Sequence, residues 1–329
     1  MKASGEGVIL DVRSPKEFQN GQIPGAVSFP LFTDDERAEV GTLYKQKGKT
    51  KAVLKGLEIV GPKLKVFAEK ALELTEGKTA FIHCWRGGMR SSSMAILLQT
   101  AGIECVILKG GYKSYRNHIL SEFSKAWELK VIGGKTGSGK TRVLAELTKL
   151  GEQVIDLEAI AHHKGSAFGR IGELSQPTTE QFGNNLFQKL QNLDFEKTIW
   201  VEDESHTIGT VFIPSEFYNN YRKAPLIVLE IPFEERLNHL VTIYGSFDIS
   251  EIKAAFERIS RKLGGQHVKS ALEFLDKGNL KSAAAIALNY YDKAYLYGLE
   301  NKDTPNISYC NFETLNPKEI ALHLLKNTK

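Results

Sequence analysis

Two stretches of the chain combine residue types and spacing that suit chemistry. The first is Cys84, followed by Trp85-Arg86-Gly87-Gly88-Met89-Arg90-Ser91. The apolar run 79–83 reads as a strand that delivers the thiol to a turn, and a helix is expected from Ser91. A thiol there sits in the positive potential of a helix N-terminus, where successive backbone N–H groups can form an anion-binding nest. Arg86 and Arg90 add positive charge, and Gly87-Gly88 let the backbone curl around the sulfur. Such surroundings lower a thiol pKa and favour the nucleophilic thiolate. An inert buried cysteine at a strand end is the ordinary alternative, and it suits Cys105 and Cys310 better. The second stretch is Gly134-Lys135-Thr136-Gly137-Ser138-Gly139-Lys140-Thr141, a full G-x4-G-K-T after an apolar run and before a helical one. In such a loop Gly134, Gly137, Ser138 and Gly139 turn amides toward a di- or triphosphate. Lys140 reaches the outer phosphates and Thr141 can ligate Mg²⁺. The pattern identifies a ligand bearing a pyrophosphate, not ATP in particular.

Further carboxylates follow a later apolar run. Residues 198–201 lead into Glu202-Asp203-Glu204-Ser205, the place of an acidic strand end that holds Mg²⁺ directly or through water. Glu202 and Asp203 are the candidates, with Asp203 beside Thr141 for the metal. Glu202 stands where Asp is usual, so which carboxylate acts stays open, and a solvated loop is the rival reading.

The elements that must position these residues alternate. Residues 8–12, 26–29, 79–83 and 105–108 read as strands, with helices at 34–46, 52–74 (broken at Gly61-Pro62) and 91–101. A second series of strands lies at 129–132, 153–156, 198–201 and 225–231, with helical segments between. Strands alternating with helices imply parallel sheets covered on both faces. From about Asp248 the pattern is helical almost to the end, with breaks at Gly264-Gly265 and Gly278-Asn279. The boundary falls within 121–127, giving domains 1–124 and 125–329.

Composition narrows the classes. At 329 residues, 42% hydrophobic and 25% charged, the chain is ordinary globular protein in size for two domains. Its apolar runs are too short to span a bilayer, and three scattered cysteines favour neither disulfides nor zinc; a cytoplasmic setting is expected. The net charge is +4, but residues 1–125 hold 19 Lys+Arg against 13 Asp+Glu, so the positive excess lies there. That is the electrostatic footprint a polyanion would use. Lys45, Lys47, Lys49, Lys51 and Lys55 form its densest run, with a solvated helix end as the plainer reading.

Two resemblances follow. Leu10-Asp11-Val12-Arg13-Ser14-Pro15 with Glu17-Phe18, then Gly21-Gln22-Ile23-Pro24-Gly25-Ala26, resembles the N-terminal signature of rhodanese domains. In that family the loop cysteine carries a persulfide or related chalcogen, and Asp11 and Arg13 would pin the loop. The loop is one residue longer than in single-domain rhodaneses, and Cys84-x5-Arg90 has the spacing of cysteine-dependent phosphatases. Other strings widen the match: Glu39-Val40-Gly41-Thr42-Leu43-Tyr44-Lys45-Gln46; Asp156-Leu157-Glu158; His162-His163-Lys164-Gly165-Ser166-Ala167-Phe168-Gly169-Arg170; Val201-Glu202-Asp203-Glu204-Ser205; and Tyr290-Tyr291-Asp292 with Tyr295. With the Cys84 loop they resemble bacterial tRNA 2-selenouridine synthases over nearly the whole chain.

The resemblance implies an α/β fold: a rhodanese-like domain plus a P-loop parallel-sheet domain with a helical C-terminal extension. It implies a transferase that replaces the sulfur of a wobble 2-thiouridine in tRNA by selenium from selenophosphate. The route runs through an S-geranylated uridine made from geranyl diphosphate. The phosphate loop, with Arg170, Glu202 and Asp203, would bind the prenyl diphosphate and Mg²⁺. Cys84, Arg86 and Arg90 would serve selenium delivery, the wider loop suiting a phosphate-sized group. A selenophosphate-producing enzyme is an expected partner and a membrane is not. Lys164 is a further candidate for phosphate or tRNA contact. Arg258, Arg261 and Lys262 would close over the diphosphate or form a wet face. Tyr290, Tyr291, Tyr295 and Tyr297 would stack on bases or pack the core. The rivals are a tRNA sulfurtransferase, a cysteine-dependent phosphatase, and a P-loop kinase with a rhodanese sensing module.

A tRNA partner has a direct consequence. Binding should weaken with salt along a log–log slope of about −0.7 to −0.9 per phosphate contact neutralised. Replacing Lys45, Lys47, Lys49 and Lys51 by Ala should flatten that slope in filter-binding titrations. An unchanged slope returns this run to solvated surface.

Overall fold

The computed structural model describes residues 7–302 and 306–327. The chain divides into two compact units. One comprises the residues up to Glu122 with Gly183–Asn185, the other Phe123–Phe182 with Leu186 onward.

The first unit is built on β1 (Gly7–Asp11), β2 (Val27–Ser28), β3 (Thr79–His83) and β4 (Cys105–Ile107). All pairings are parallel, in the order β2-β1-β3-β4. Parallel neighbours need crossovers, and helices supply them. Two begin with reciprocal caps: Ser14 with Glu17 for Pro15–Asn20, and Thr33 with Glu36 for Asp34–Lys47. The expected break at Gly61-Pro62 is a single 3₁₀ turn, Gly61–Lys63, between helices Lys49–Val60 and Leu64–Thr75. Leu10, Val12, Phe29, Ile82, Met94 and Leu98 fill the core around the strands. The last strand residue before Cys84 is His83, opposite Asp11 in the ladder, so the thiol leaves the carboxyl end of an interior strand.

The second unit carries a five-stranded parallel sheet. Its strands are β5 (Leu129–Gly134), β6 (Gln153–Ile155), β7 (Ile199–Glu202), β10 (Leu226–Glu230) and β11 (Ile307–Asn311), in the order β11-β10-β5-β7-β6. Between β7 and β10 lies a small antiparallel hairpin, β8 (Thr207–Ile208) and β9 (Val211–Phe212). Strand β5 is central, and the chain proceeds first to one side of it and then to the other. That reversal leaves a crevice at its carboxyl end, where ligands bind in such sheets. The ladder places Ile132 of β5 beside Glu202 of β7, which carries the acidic end of β7 to the phosphate loop. Trp200, Leu144, Leu147, Ile227, Ile320 and Leu324 pack the sheet against its helices.

The structure corrects one expectation and adds one element. The chain is not helical from residue 248 almost to the end: after helices Ile249–Arg258, Ser260–Leu263, Gly265–Asp276 and Leu280–Glu300 it returns as β11. Its five residues pair one by one with Leu226–Glu230, so a nonlocal ladder decides their state. The hairpin β8–β9 was likewise not anticipated, two-residue strands being too short to show a period. Among the described residues, no helix is long and apolar enough to cross a membrane.

Candidate active site

The thiol loop is held by its backbone. Cys84 is buried, and its Sγ accepts from the Gly88 amide at 3.3 Å and lies 3.3 Å from the Ser91 hydroxyl. The loop carbonyls are tied from outside: the Tyr112 amide donates to Cys84 O and the Lys113 amide to Trp85 O, both at 2.9 Å. This approach needs Gly111, which has φ +60°. A Cβ there would lie 2.3 Å from Cys84 O and 2.5 Å from Gly87 N. Asp11 and Arg13 form a buried pair, and the Arg13 guanidinium also donates to Gly21 O and stacks on the Tyr112 ring. They support the loop without touching the sulfur.

Burial pushes the Cys84 thiol up. The Ser91 hydroxyl and the amides of Ser91, Arg86 and Gly88 more than offset this, and the thiol lies below its ordinary value. Cys105 and Cys310, raised by burial, have no such surroundings. The charges expected to help are elsewhere. Arg90 turns away to Glu17, donating at 2.6 and 3.2 Å, and Arg86 is exposed. Glu17 also caps the first helix through the Ser14 amide, so it is fixed in place for Arg90. The phosphatase-like spacing therefore does not turn its arginine into the loop.

In the second unit the phosphate loop joins β5 to the helix Lys140–Lys149. Lys140 Nζ donates to Gly134 O at 3.1 Å, folding over the loop. Ser138 is buried, and its hydroxyl finds no partner among the described residues. A buried polar atom of that kind calls for a ligand. Two contacts from distant helices brace the loop. Tyr295 Oη accepts from the Gly134 amide at 2.8 Å, and the buried Arg236 donates to Thr136 O at 3.1 Å while pairing with both carboxylate oxygens of Asp292.

The carboxylates sort by alternation along the extended chain. Glu202 is buried and accepts from the Glu158 amide at 2.9 Å, a structural role. Asp203 points the other way, to Lys302 and the Tyr221 hydroxyl. It was expected beside Thr141; instead the Thr141 hydroxyl donates to Glu158 at 3.1 Å. Glu204 faces Glu158. Burial pushes both carboxyls above the usual range, helped for Glu204 by the Glu158 charge and opposed for both by Lys140. The backbone of Gly165 closes on this pair: a Cβ there would lie 2.8 Å from Glu158 and 2.9 Å from Glu204.

Other sequence candidates, Tyr295 excepted, are engaged elsewhere or exposed. Lys164 pairs with Glu173, and Arg258 donates to Ala167 O. Arg170, Arg261 and Lys262 are exposed. His163 is buried and held low by burial and the Arg170 charge, whereas His162 ends a short helix at φ +51°. Tyr291 accepts from the Ala167 amide, so Tyr291 and Tyr295 brace loops, while Tyr297 is exposed. Lys45, Lys47, Lys49 and Lys51 are exposed, and Lys55 pairs with Glu39 and Glu58. Arg236 and Tyr295 as loop braces were missed. Only the Tyr290-Tyr291-Asp292 string with Tyr295 signalled them.

A thiol loop on one parallel sheet and a phosphate loop on another define a rhodanese-like domain joined to a P-loop domain. Comparison with known families agrees: residues 1–118 match the rhodanese-like domain and residues 127–316 the tRNA 2-selenouridine synthase AAA domain. Among curated relatives, the tRNA 2-selenouridine synthase of Bdellovibrio bacteriovorus is 36% identical, the alignment covering 89% of each chain. That of Sulfurovum sp. is also 36% identical, covering 89% of this chain and 88% of its own. That of Shewanella sediminis is 34% identical, covering 90% and 89%. The chain belongs to the tRNA 2-selenouridine synthase family, a family of enzymes.

The thiol geometry is testable by the pH dependence of iodoacetamide alkylation at Cys84. Removing a hydrogen bond to the thiolate in Ser91→Ala should move the midpoint upward by about one pH unit. Arg90→Ala should leave it in place, because that guanidinium is engaged by Glu17. The opposite pattern would assign the low pKa to the arginine.

Proposed function

We propose that the enzyme replaces the sulfur of a wobble 2-thiouridine in tRNA by selenium from selenophosphate, through an S-geranylated intermediate made from geranyl diphosphate. The observation that carries this reading is the pairing, in one chain of this family, of a thiol held by the Gly88 amide and the Ser91 hydroxyl with a phosphate loop whose Ser138 hydroxyl is buried and without a partner among the described residues.

In the first step the thiouridine sulfur attacks C1 of the donor. The S–C1 bond forms, the C1–O bond breaks, diphosphate leaves, and the base loses its N3 proton. The loop amides, Lys140 and the Ser138 hydroxyl stabilise the charge gathering on the departing diphosphate. Tyr295 and Arg236 keep those donors in place. Arg170 is proposed to meet the diphosphate only through movement of its exposed side chain. A Mg²⁺ fits beside the loop on the donor set present, the Thr141 hydroxyl with Glu158 and Glu204 rather than Asp203. Burial raises both carboxyls above the usual range, and a neighbouring cation would favour their ionised form. Mg²⁺ usually keeps several waters, so few protein ligands suffice. Among the described residues no group of three or more His, Cys, Asp or Glu is arranged as a metal cage. When bound, the ion would supply charge neutralisation at the leaving diphosphate.

In the second step selenium attacks C2 of the base. The Se–C2 bond forms, the C2–S bond breaks, and geranyl thiol leaves with a proton. Water cleaves the P–Se bond and releases phosphate. Cys84 and its amide nest bind or activate the selenium donor here, with Arg86 free to reach its phosphate group. Delivery from a selenophosphate-producing enzyme is part of the same proposal.

Separate variants distinguish the steps, read by mass spectrometry of tRNA nucleosides. Cys84→Ala should still geranylate thiouridine, and that intermediate should accumulate. Lys140→Ala should leave thiouridine unmodified, yet selenate tRNA supplied already geranylated. The assignment fails if folded, tRNA-binding Cys84→Ala cannot geranylate, or if Lys140→Ala geranylates at the wild-type rate.

A further inference from the structure

The rim of the Cys84 loop carries a side chain that the two steps above leave unused. Trp85 follows the thiol directly and is 36% exposed. Tryptophan is on average highly buried, as Trp200 is in this chain. Trp85 is nevertheless held in place. The Lys113 amide donates to its carbonyl at 2.9 Å, next to the Tyr112 amide on Cys84 O. The start of one helix, Gly111–Phe123, thus fixes thiol and indole together. The indole leans on the Tyr112 ring, centroids 5.8 Å apart. Tyr112 is itself buried, with the Arg13 guanidinium 3.8 Å from its centroid. An exposed aromatic face backed in this way has little freedom left to lose on stacking.

The charge around this face has one sign. The segment 108–113 lies against the loop, since a Cβ on Gly87 would come within 2.9 Å of Leu108 O. Arg86, Lys109 and Lys113 are exposed, and none of them forms an ion pair among the described residues. Residues 84–91 and 108–113 contain no Asp or Glu, and Glu17 is engaged by Arg90. Met89 adds an exposed thioether at the first turn of its helix. The rim therefore offers a flat ring and hydrogen-bond donors, with no carboxylate to accept.

We propose that Trp85 is the platform on which the S-geranylated base stacks while selenium is delivered at the Cys84 loop. This rests on the two-step reading above and deepens it, placing the base at the thiol loop for the second step. Alkylation at sulfur with loss of the N3 proton leaves the ring with N3 and O4 as acceptors and no ring N–H donor. Such a base matches donors set around an aromatic face. Arg86, Lys109 and Lys113 match the phosphates on either side of it. A thiouridine that keeps its N3 proton would bring a donor to a rim that holds no carboxylate for it. Stacking one base on an aromatic ring is worth about tenfold in affinity.

The test is the kinetics of selenation by the full-length protein, with selenophosphate and tRNA supplied already geranylated, for wild type, Trp85→Ala and Trp85→Tyr. Trp85→Ala should raise KM for that tRNA about tenfold. Trp85→Tyr keeps a ring and should keep most of the wild-type affinity. In both variants KM for selenophosphate, the pH midpoint of Cys84 alkylation and the rate of geranylation of thiouridine tRNA should stay as in wild type. An unchanged tRNA KM in Trp85→Ala overturns the platform. So does a shifted alkylation midpoint, which would make the indole a prop for the thiol loop. Equal losses of geranylation and selenation would make it a general RNA contact. A loss seen only when a selenophosphate-producing enzyme supplies the selenium, and not with free selenophosphate, would assign the indole to a protein partner. Each of these outcomes overturns the platform and leaves the two-step reading standing. Wild-type protein unable to selenate geranylated tRNA overturns that reading and the platform with it.

Discussion

Amide N–H groups at the turn from a parallel strand into a helix have no partner in the ladder behind or the helix ahead. Both units of this chain carry such a turn at their candidate sites. In one, the amides of Arg86, Gly88 and Ser91 converge on the Cys84 sulfur. In the other, the glycine-rich turn after β5 leaves the buried Ser138 hydroxyl without a partner among the described residues. The rest of each unit keeps its turn from collapsing onto itself. Gly111 lets the Tyr112 amide hold Cys84 O, and Arg236 holds Thr136 O against Asp292. A group that accepts hydrogen bonds from such a turn needs no charge from a nearby side chain. That is why Arg90 can be committed to Glu17 without cost to the thiolate.

Carboxylates beside an anion site pose the opposite problem, since they repel the ligand. The structure answers by burying them in graded roles. Glu202 is consumed by the Glu158 amide and Asp203 by Lys302 and Tyr221, leaving the Glu158–Glu204 pair near Thr141. Burial raises both carboxyls above the usual range, and the Lys140 charge opposes the rise.

Much of this was legible in the sequence because it is local. The run Thr79–His83 became a strand ending at the thiol, and G-x4-G-K-T followed a strand and opened a helix. What escaped depended on distant pairing. Ile307–Asn311 is a strand only because Leu226–Glu230 lies beside it. Arg90 looked like a ligand for the thiol loop, but its partner stands 73 residues earlier. Asp203 is the sequence candidate for the metal, one place after the usual acidic position, and the side-chain alternation that turns it to Lys302 depends on the register of β7 against β5. Tyr295 sits among aromatics that suggest stacking or packing, and its hydroxyl is instead committed to Gly134, 161 residues away.

Prenylation is proposed to precede selenation on the same sulfur-bearing base. A pulse–chase measurement addresses it most directly. Wild-type enzyme and 2-thiouridine tRNA are mixed with labelled geranyl diphosphate, then with excess unlabelled donor and selenophosphate, and the nucleosides are followed by mass spectrometry. Labelled S-geranyl-thiouridine should form and decay into selenouridine, with the label recovered as geranyl thiol. Selenouridine formed at the same rate with geranyl diphosphate omitted would contradict it.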